Sequence, residues 1–322
     1  MLGIRLFAGL AACASLLAFD SVAQSYPVKP IRLVVGFTPG GVSSAIARLL
    51  SQKMAEPLGQ PVLVENRGGA SGAIAYEMVA KSPADGYTLL IIGATAAVLP
   101  ALRANLPYDL ERDLAPVSMV AIAPFVLVIH PSVPARNVKE LIALARSQPG
   151  KLSYGSVGAG SPPHLMAELF KLMAEVNVVH VPYKGGTENA IANASGQIEM
   201  SFLSIPSLLP LLTSGRLRPL AVSSIKRASF LASLPTLDES GLRGYDYSNW
   251  NGVTVPAGTP KDIIARLSAL IEKVVNTPDM KEALGRQGLE PQTSTPDQLA
   301  VFIHGEVVKN AKLIKLIGMK AE

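Results

Sequence analysis

The sequence predicts an α/β protein of two lobes, each a mainly parallel sheet flanked by helices. Three observations carry this prediction. After the first two dozen residues, apolar runs alternate with amphipathic stretches in a strand–loop–helix order. The same alternation begins again near residue 124, and the last third holds helical patterns with almost no strand. Alternating strands and helices are typical of sheets covered by helices on both faces.

Composition narrows the class of protein before any element is assigned. The 322 residues are 49% hydrophobic and 16% charged, which suits one large or two medium globular domains. Lys and Arg number 29 against 24 Asp and Glu, a formal charge of +5. The basic residues are scattered, so we expect no nucleic-acid binding, whereas the mild positive charge favours small anions.

The N-terminus has the features of an export signal. Arg5 precedes an uncharged stretch over 6–19, and Ser21-Val22-Ala23 provides a small-x-small cleavage site. We therefore assign 1–23 to a signal peptide and expect a soluble protein in the periplasm. A lipid anchor at Cys13 is the alternative, although the apolar core before it would be short. Cleavage before Gln24 leaves no cysteine for a disulfide or a thiolate metal site.

The elements follow in order along the chain. Strands are predicted at 31–37, 62–65, 87–92, 124–130, 152–156, 178–183, 198–204, 217–223 and 252–255. Helices are predicted at 43–58, 73–81, 138–147, 162–175, 188–194, 207–213, 261–276, 279–287 and 295–317. Ser43 or Ser44 can cap the first helix, and Gly59 ends it. The segment 230–247 is predicted to be a loop.

The lobe boundaries depend on which lobe the C-terminal helices belong to. They form either a separate helical domain or part of the first lobe, and we favour the latter because 252–255 offers that lobe a strand. The predicted division is 26–125 with 249–322 for lobe 1 and 126–248 for lobe 2. Two crossings, near 123–128 and 245–252, then connect the lobes, and we expect Trp250 to be a core or hinge anchor.

Four loops at strand ends are candidates for ligand binding, because ligands of open parallel sheets collect at the carboxyl ends of the strands. These loops, at 37–44, 93–97, 155–164 and 183–187, are rich in Gly, Ser and Thr and poor in acids. Helix starts present free N–H groups and partial positive charge, which favour an anion. Gly40 and Gly41 allow the backbone to approach a ligand closely.

Enzyme signatures fail on inspection. A nucleophile elbow at Ser156 needs Gly where Tyr154 stands, and a dinucleotide fingerprint from 158 needs a small residue where Pro163 stands. The four histidines have no zinc-binding spacing. We therefore expect no metal, no cofactor and no catalysis. An exported hydrolase using Ser156 with His164 stays open as the alternative function.

His164, Tyr183 and Lys184 are further candidates for the site, whereas His180 is not. His164 lies on the first turn of a helix after a Gly-Ser-Pro loop and is a candidate ligand contact. Lys184 offers a cation to a carboxylate, and Tyr183 offers an apolar face with one hydroxyl. His180 lies in the middle of a predicted strand and is expected to be structural.

Motifs along the whole mature chain resemble the tripartite tricarboxylate transporter solute receptors, the Bug family. They are Tyr26-Pro27-x-x-Pro30-Ile31-Arg32-Leu33-Val34-Val35, Phe37-x-Pro39-Gly40-Gly41, Val64-Glu65-Asn66-Arg67, Asp85-Gly86-Tyr87-Thr88-Leu89, Leu106-Pro107-Tyr108-Asp109, His180-Val181-Pro182-Tyr183-Lys184-Gly185 and Pro256-Ala257-Gly258-Thr259-Pro260. The resemblance implies a type II periplasmic binding protein that closes over a small organic anion. It also implies delivery of that solute to a separate membrane permease.

The resemblance also implies which residues face the ligand. The Pro39-Gly40-Gly41 loop supplies N–H groups to one carboxylate, often through waters. The complete candidate set for ligand binding is Phe37, Thr38, Gly40, Gly41, Ser43, Ser44, Thr95, Ser156, Gly158, Ser161, His164, Tyr183, Lys184 and Ser204. We expect a monomer. The effector lobes of a transcription regulator share this architecture, but no DNA-binding helix pair precedes Ile31.

Two departures from the family pattern bear on the ligand. Ser44 stands where many members carry Asp, and Leu203-Ser204 stands where many carry Asp-Asn. Both departures remove a negative charge, and a carboxylate in the cleft would suit an ammonium group. We therefore expect a mono- or dicarboxylate with an uncharged or aromatic body instead of an amino acid.

Overall fold

The computed structural model describes residues 26–39 and 41–319. The predicted signal peptide, Cys13 and Gly40 lie outside the described residues. The strands are β1 Ile31–Val35, β2 Val62–Asn66, β3 Thr88–Gly93, β4 Leu114–Ala123, β5 Val126–Ile129, β6 Ser153–Ser156, β7 Val179–Pro182, β8 Met200–Leu203, β9 Arg218–Val222, β10 Asn249–Pro256 and β11 Glu290–Pro291.

The helices alternate with these strands and then dominate the C-terminal third. They are α1 Val42–Leu58, α2 Ala73–Ala80, α3 Ala94–Leu102, α4 Val138–Ser147, α5 Pro162–Ala174, α6 Gly186–Ala194, α7 Ile205–Thr213, α8 Lys261–Val275, α9 Pro278–Arg286 and α10 Pro296–Leu316. Among the described helices, none combines the length and the apolarity that crossing a bilayer requires.

Two sheets organise the chain, as the sequence predicts. The first has the order β11-β4-β10-β3-β1-β2 and the second the order β7-β6-β8-β5-β9. In the first sheet β1 pairs in parallel with β2 and β3, while β10 runs antiparallel between β3 and β4. In the second, β5 is the reversed strand, between β8 and β9. The edge strand β11 also pairs antiparallel with β4, so the first sheet has two reversed strands and the second has one.

Apolar side chains cover both faces of each sheet, which explains the almost wholly apolar strands. Leu33 and Val34, neighbours in β1, are fully buried in separate clusters on opposite faces of the first sheet. The second sheet is covered in the same way by two clusters. Leu313 and Ile314, near the end of α10, pack in a cluster with residues of the second sheet. The C-terminal helix therefore contacts both halves of the molecule.

The structure corrects four elements of the sequence prediction. One is the two-residue strand β11, which lies between α9 and α10 where no strand was predicted. Strand β4 was not predicted, because Pro116 and small residues interrupt its apolar pattern; the β10 register shifts beside Pro116, which lets the strand accommodate proline. Helix α3 replaces an expected loop at 93–97. Neither Ser43 nor Ser44 caps α1; Gly41 occupies the N-cap position and both serines lie in the first turn. Gly59 ends α1 in the left-handed conformation, as expected.

Candidate functional site

A cavity of about 590 Å³ opens between the two sheets, where β1, β3, β6, β7 and β8 end. From the first sheet's side it is lined by Phe37, Thr38, Gly41, Ser43 and Thr95, and from the second by Lys184, Asn189, Phe202 and Ser204. Seven residues of the predicted ligand-binding set therefore line one cavity. Of the remaining seven, Gly40 lies outside the described residues and the other six do not line it.

Five helices begin at this cavity. Their N-cap residues are Gly41 for α1, Gly93 for α3, Ser161 for α5, Gly185 for α6 and Ser204 for α7. None of the five N-caps makes a side-chain hydrogen bond to its helix. The first N–H groups of a helix have no partner within it, and together with the helix dipole they attract an anion. The cavity therefore combines several partial positive charges.

The five helix starts differ in the donors that they offer. Helix α5 begins with Pro162 and Pro163, which have no N–H, so its first turn contributes little beyond its dipole. Helix α7 also loses a donor at Pro206. Helices α1, α3 and α6 have no proline in their first turns. The backbone donors are therefore concentrated at the starts of α1 and α3 on the first sheet's side and of α6 on the second's.

Lys184 is the only charged side chain among the described lining residues. It is exposed at the mouth, and its backbone N–H donates to Glu188 Oε2 at 3.2 Å. No described aspartate or glutamate lines the cavity. Tyr183 lies outside it, with its N–H donating to the Ser156 carbonyl at 2.9 Å, and partial burial raises the pKa of its hydroxyl. The local charge thus favours an anionic ligand.

Two serines of the α1 start have different roles. The Ser43 hydroxyl, on the cavity wall, donates to Asn251 Oδ1 at 2.8 Å. Asn251 is buried, and its Nδ2 has no hydrogen-bond partner among the described residues. Ser44 is buried behind the wall, where its hydroxyl accepts from Asn66 Nδ2 at 3.2 Å. That amide also donates to the Phe37 carbonyl at 2.8 Å, so Ser44 supports the loop instead of facing a ligand.

Ser156 is fully buried and is paired with a histidine that the sequence analysis had set aside. Its Oγ lies 2.6 Å from His180 Nε2 in a hydrogen bond, and it accepts from the Gly158 N–H at 3.0 Å. His180 therefore has a structural role, as predicted, through its contact with the Gly158 loop. Burial lowers the pKa of His180, so the ring is neutral near neutral pH.

His164 is also buried and supports the same loop. Its Nδ1 accepts from the Gly160 N–H at 3.1 Å, and its ring centroid lies 4.3 Å from that of His180. Burial, and then the neighbouring His180, lower the pKa of His164 from 6.5 to about 4. The Ser161 hydroxyl donates to the Gly158 carbonyl at 2.6 Å. Ser161 lines a smaller neighbouring cavity of about 270 Å³.

These contacts contradict the hydrolase alternative. Ser156 is hydrogen-bonded to His180 and not to His164, and its hydroxyl is shielded from the cavity. As a separate point, no three His, Cys, Asp or Glu side chains within 26–39 and 41–319 are grouped as a metal site requires.

Sequence reasoning missed several lining residues. Phe125, Asn189, Phe202, Ser207 and Asn249 all reach the cavity. Phe125 and Asn249 lie at the two crossings, and neither crossing was predicted to contribute a ligand-binding residue. Asn189 carried a usable signal, since it is a polar residue on the first turns of a helix that follows a candidate loop.

A family model and a related protein both match this chain over most of its length. The family model described as tripartite tricarboxylate transporter family receptor matches residues 46–319. Protein BugT of Bordetella pertussis is 37% identical over 300 residues, covering 92% of each chain.

Two solved structures carry ligands in their descriptions. An R. palustris protein with adipate is 35% identical, with a TM-score of 0.79, and the match covers 92% of this chain and all of that one. MatC from Rhodopseudomonas palustris with bound malate is 28% identical, with a TM-score of 0.73, over 90% of this chain and all of that one. The likeness therefore extends over both sheets.

Proposed function

We propose that this chain, which belongs to the tripartite tricarboxylate transporter receptor family, captures a small organic carboxylate between its two lobes in the periplasm. The family is one of solute-binding receptors and not of enzymes. We further propose that the receptor is a monomer, exported by the signal at 1–23, that hands its solute to a membrane permease. The lobes are 26–125 with 249–322, and 126–248.

One observation carries the proposal: five helices with no side-chain N-cap begin at a cavity that has a lysine and no described acidic side chain. Backbone N–H groups and hydroxyls of this kind can hold a carboxylate with a dissociation constant of about 1 μM, or about −8 kcal/mol. Such a site needs no titrating group and leaves the ligand unchanged. Both properties suit a receptor that must release what it binds.

The cavity charge also supports the preference for a carboxylate over an amino acid. Of the two positions where family members often carry acids, Leu203 lines the cavity and Ser44 lies buried behind it. A ligand ammonium group would therefore find no described carboxylate on the wall. The related structures with adipate and malate are consistent with an acid of this kind.

Closure follows if the ligand touches both lobes, because it then favours the closed state in proportion to its differential affinity. The test is mass spectrometry of small molecules that co-purify with the protein, followed by calorimetry of each one found and small-angle scattering with and without it. We expect organic acids and a smaller radius of gyration on binding. Tighter binding of an amino acid than of its deaminated analogue, or any ligand recovered chemically altered, would contradict the proposal.

A further inference from the structure

Aromatic side chains form part of the cavity wall. Phe37 after β1, Phe125 at the first crossing and Phe202 in β8 all line it. The described residues contain six phenylalanines, so half of them line this one cavity. Val157 and Leu203 add aliphatic surface beside them. A small, fully polar acid would leave most of this apolar wall without a partner.

Contacts within the protein fix the backbone of Phe37 and Phe125 and the ring of Phe202, which is only 1% exposed. The Phe202 ring stacks on Tyr245, with centroids 6.3 Å apart and planes 4° from parallel. The Phe125 N–H donates to the Ser223 hydroxyl at 3.0 Å, and its carbonyl accepts from the Ser223 N–H at 2.8 Å. The Phe37 carbonyl accepts the side-chain amide hydrogen bond described above. A fixed wall lowers the entropy cost of binding a rigid ligand.

We propose that the ligand is a monocyclic aromatic carboxylate whose ring packs against Phe37 and Phe125, the two partly exposed phenylalanines of the cavity wall. The inference rests on the proposed function, since the carboxylate group still faces the helix starts of the same cavity. A flat ring matches phenyl walls through edge-to-face and offset contacts, which a saturated chain of equal size cannot make. The cavity volume of about 590 Å³ lies within the range of sites for small organic ligands.

Asn189 supplies a second contact, to a polar substituent on the ring. The side chain is 1% exposed, and its Oδ1 accepts from the Ser201 hydroxyl at 2.9 Å. Because Oδ1 is occupied, Nδ2 is the group that this side chain offers to the cavity it lines. A hydroxyl para to the carboxylate is an acceptor for that N–H. The preferred ligand therefore resembles 4-hydroxybenzoate more than benzoate.

The test is calorimetry of the purified protein with four probes: benzoate, 4-hydroxybenzoate, cyclohexanecarboxylate and adipate. Benzoate and cyclohexanecarboxylate have similar size and charge, so their comparison isolates the aromatic contacts. We expect benzoate to bind about tenfold tighter than cyclohexanecarboxylate, which corresponds to aromatic contacts with both Phe37 and Phe125. We expect 4-hydroxybenzoate to bind more tightly than benzoate, and Asn189→Ala to abolish that difference.

Two variants test the wall itself. Phe37→Leu and Phe125→Leu keep the cavity apolar but remove a ring, and both residues are only partly buried, so folding is not at risk. Each should reduce the preference for benzoate over cyclohexanecarboxylate several-fold. Phe302→Leu is the matched control, because Phe302 packs edge-on against Trp250 outside this cavity, with centroids 5.3 Å apart. It should leave the preference unchanged.

Adipate binding as tightly as benzoate, or an unaltered preference in both variants, would overturn the aromatic inference and leave the carboxylate receptor standing. Binding of none of the four probes would also overturn it. If the survey of co-purifying molecules then contained no organic acid, the proposed function would fail with it.

Discussion

Replacing Ser204 by aspartate tests the electrostatic basis of the site. Ser204 lines the cavity at the α7 start, and its hydroxyl lies 3.2 Å from that of Ser207. A carboxylate there would face the bound anion. At a separation of about 6 Å and an effective dielectric constant of about 20, two like charges repel by about 3 kcal/mol. Salt and an open cleft reduce this repulsion.

We therefore expect Ser204→Asp to weaken carboxylate binding at least about tenfold, or about 1.4 kcal/mol. Ser204→Asn is the control, with the same shape and no charge. Calorimetry at low and at physiological salt measures both variants with whichever of benzoate and adipate binds the parent protein. Aspartate at a helix N-cap is favourable, so thermal unfolding without ligand should be unchanged or shifted upward. Binding by the aspartate variant within twofold of the asparagine variant would refute the electrostatic reasoning.

Three other outcomes are expected. Lys184→Gln should weaken carboxylate binding a few-fold and flatten its salt dependence in calorimetry, because the exposed lysine acts through a screened charge; an unchanged salt dependence would contradict this. Gly155→Ala should lower the free energy of unfolding in urea by about 1–3 kcal/mol, since the new Cβ would lie 1.9 Å from Asn189 Oδ1. Gly185→Ala is the control and should leave the free energy of unfolding unchanged, because no atom lies within 4 Å of its new Cβ. The free energy of unfolding should fall as pH falls from 6.5 towards 4. In this range His164 binds a proton in the unfolded chain but stays unprotonated in the folded one. Urea titrations should show a shallower fall in His164→Gln.

The fold was largely predictable because its signals are local. Helix α4 has the bounds that its apolar spacing predicts, with an Asn137 cap that accepts from the Glu140 N–H. Strand β4 was not predictable in the same way. Its buried, central position comes from pairing with β10, which lies far along the chain, and a proline obscures its apolar pattern. Tertiary pairing that contradicts local pattern is the general reason for such a miss.

The sequence predicts which loops line the cavity better than it predicts which side chains reach it. Loops at strand ends contain the helix starts that line the cavity, so the segments that hold Gly41, Thr95 and Lys184 could be predicted from their positions at strand ends. The position of a residue in a loop does not show whether its side chain is buried. Ser156 and His164 lie in the right loop but point into a packed network behind it, and Phe202 reaches the cavity from a strand whose pattern indicates only core.

The groups that face the ligand differ from the histidines whose pKa values are shifted. His164 and His180 are buried behind the cavity, and burial lowers the pKa of both, so neither carries charge near neutral pH. The wall itself presents backbone N–H groups, hydroxyls and Lys184. Ligand binding should therefore depend little on pH between about 6.5 and 8, because backbone N–H groups and aliphatic hydroxyls do not titrate there. The stability of the loop should depend on pH only below that range. A receptor exposed to a variable medium would then keep its affinity for as long as it stays folded.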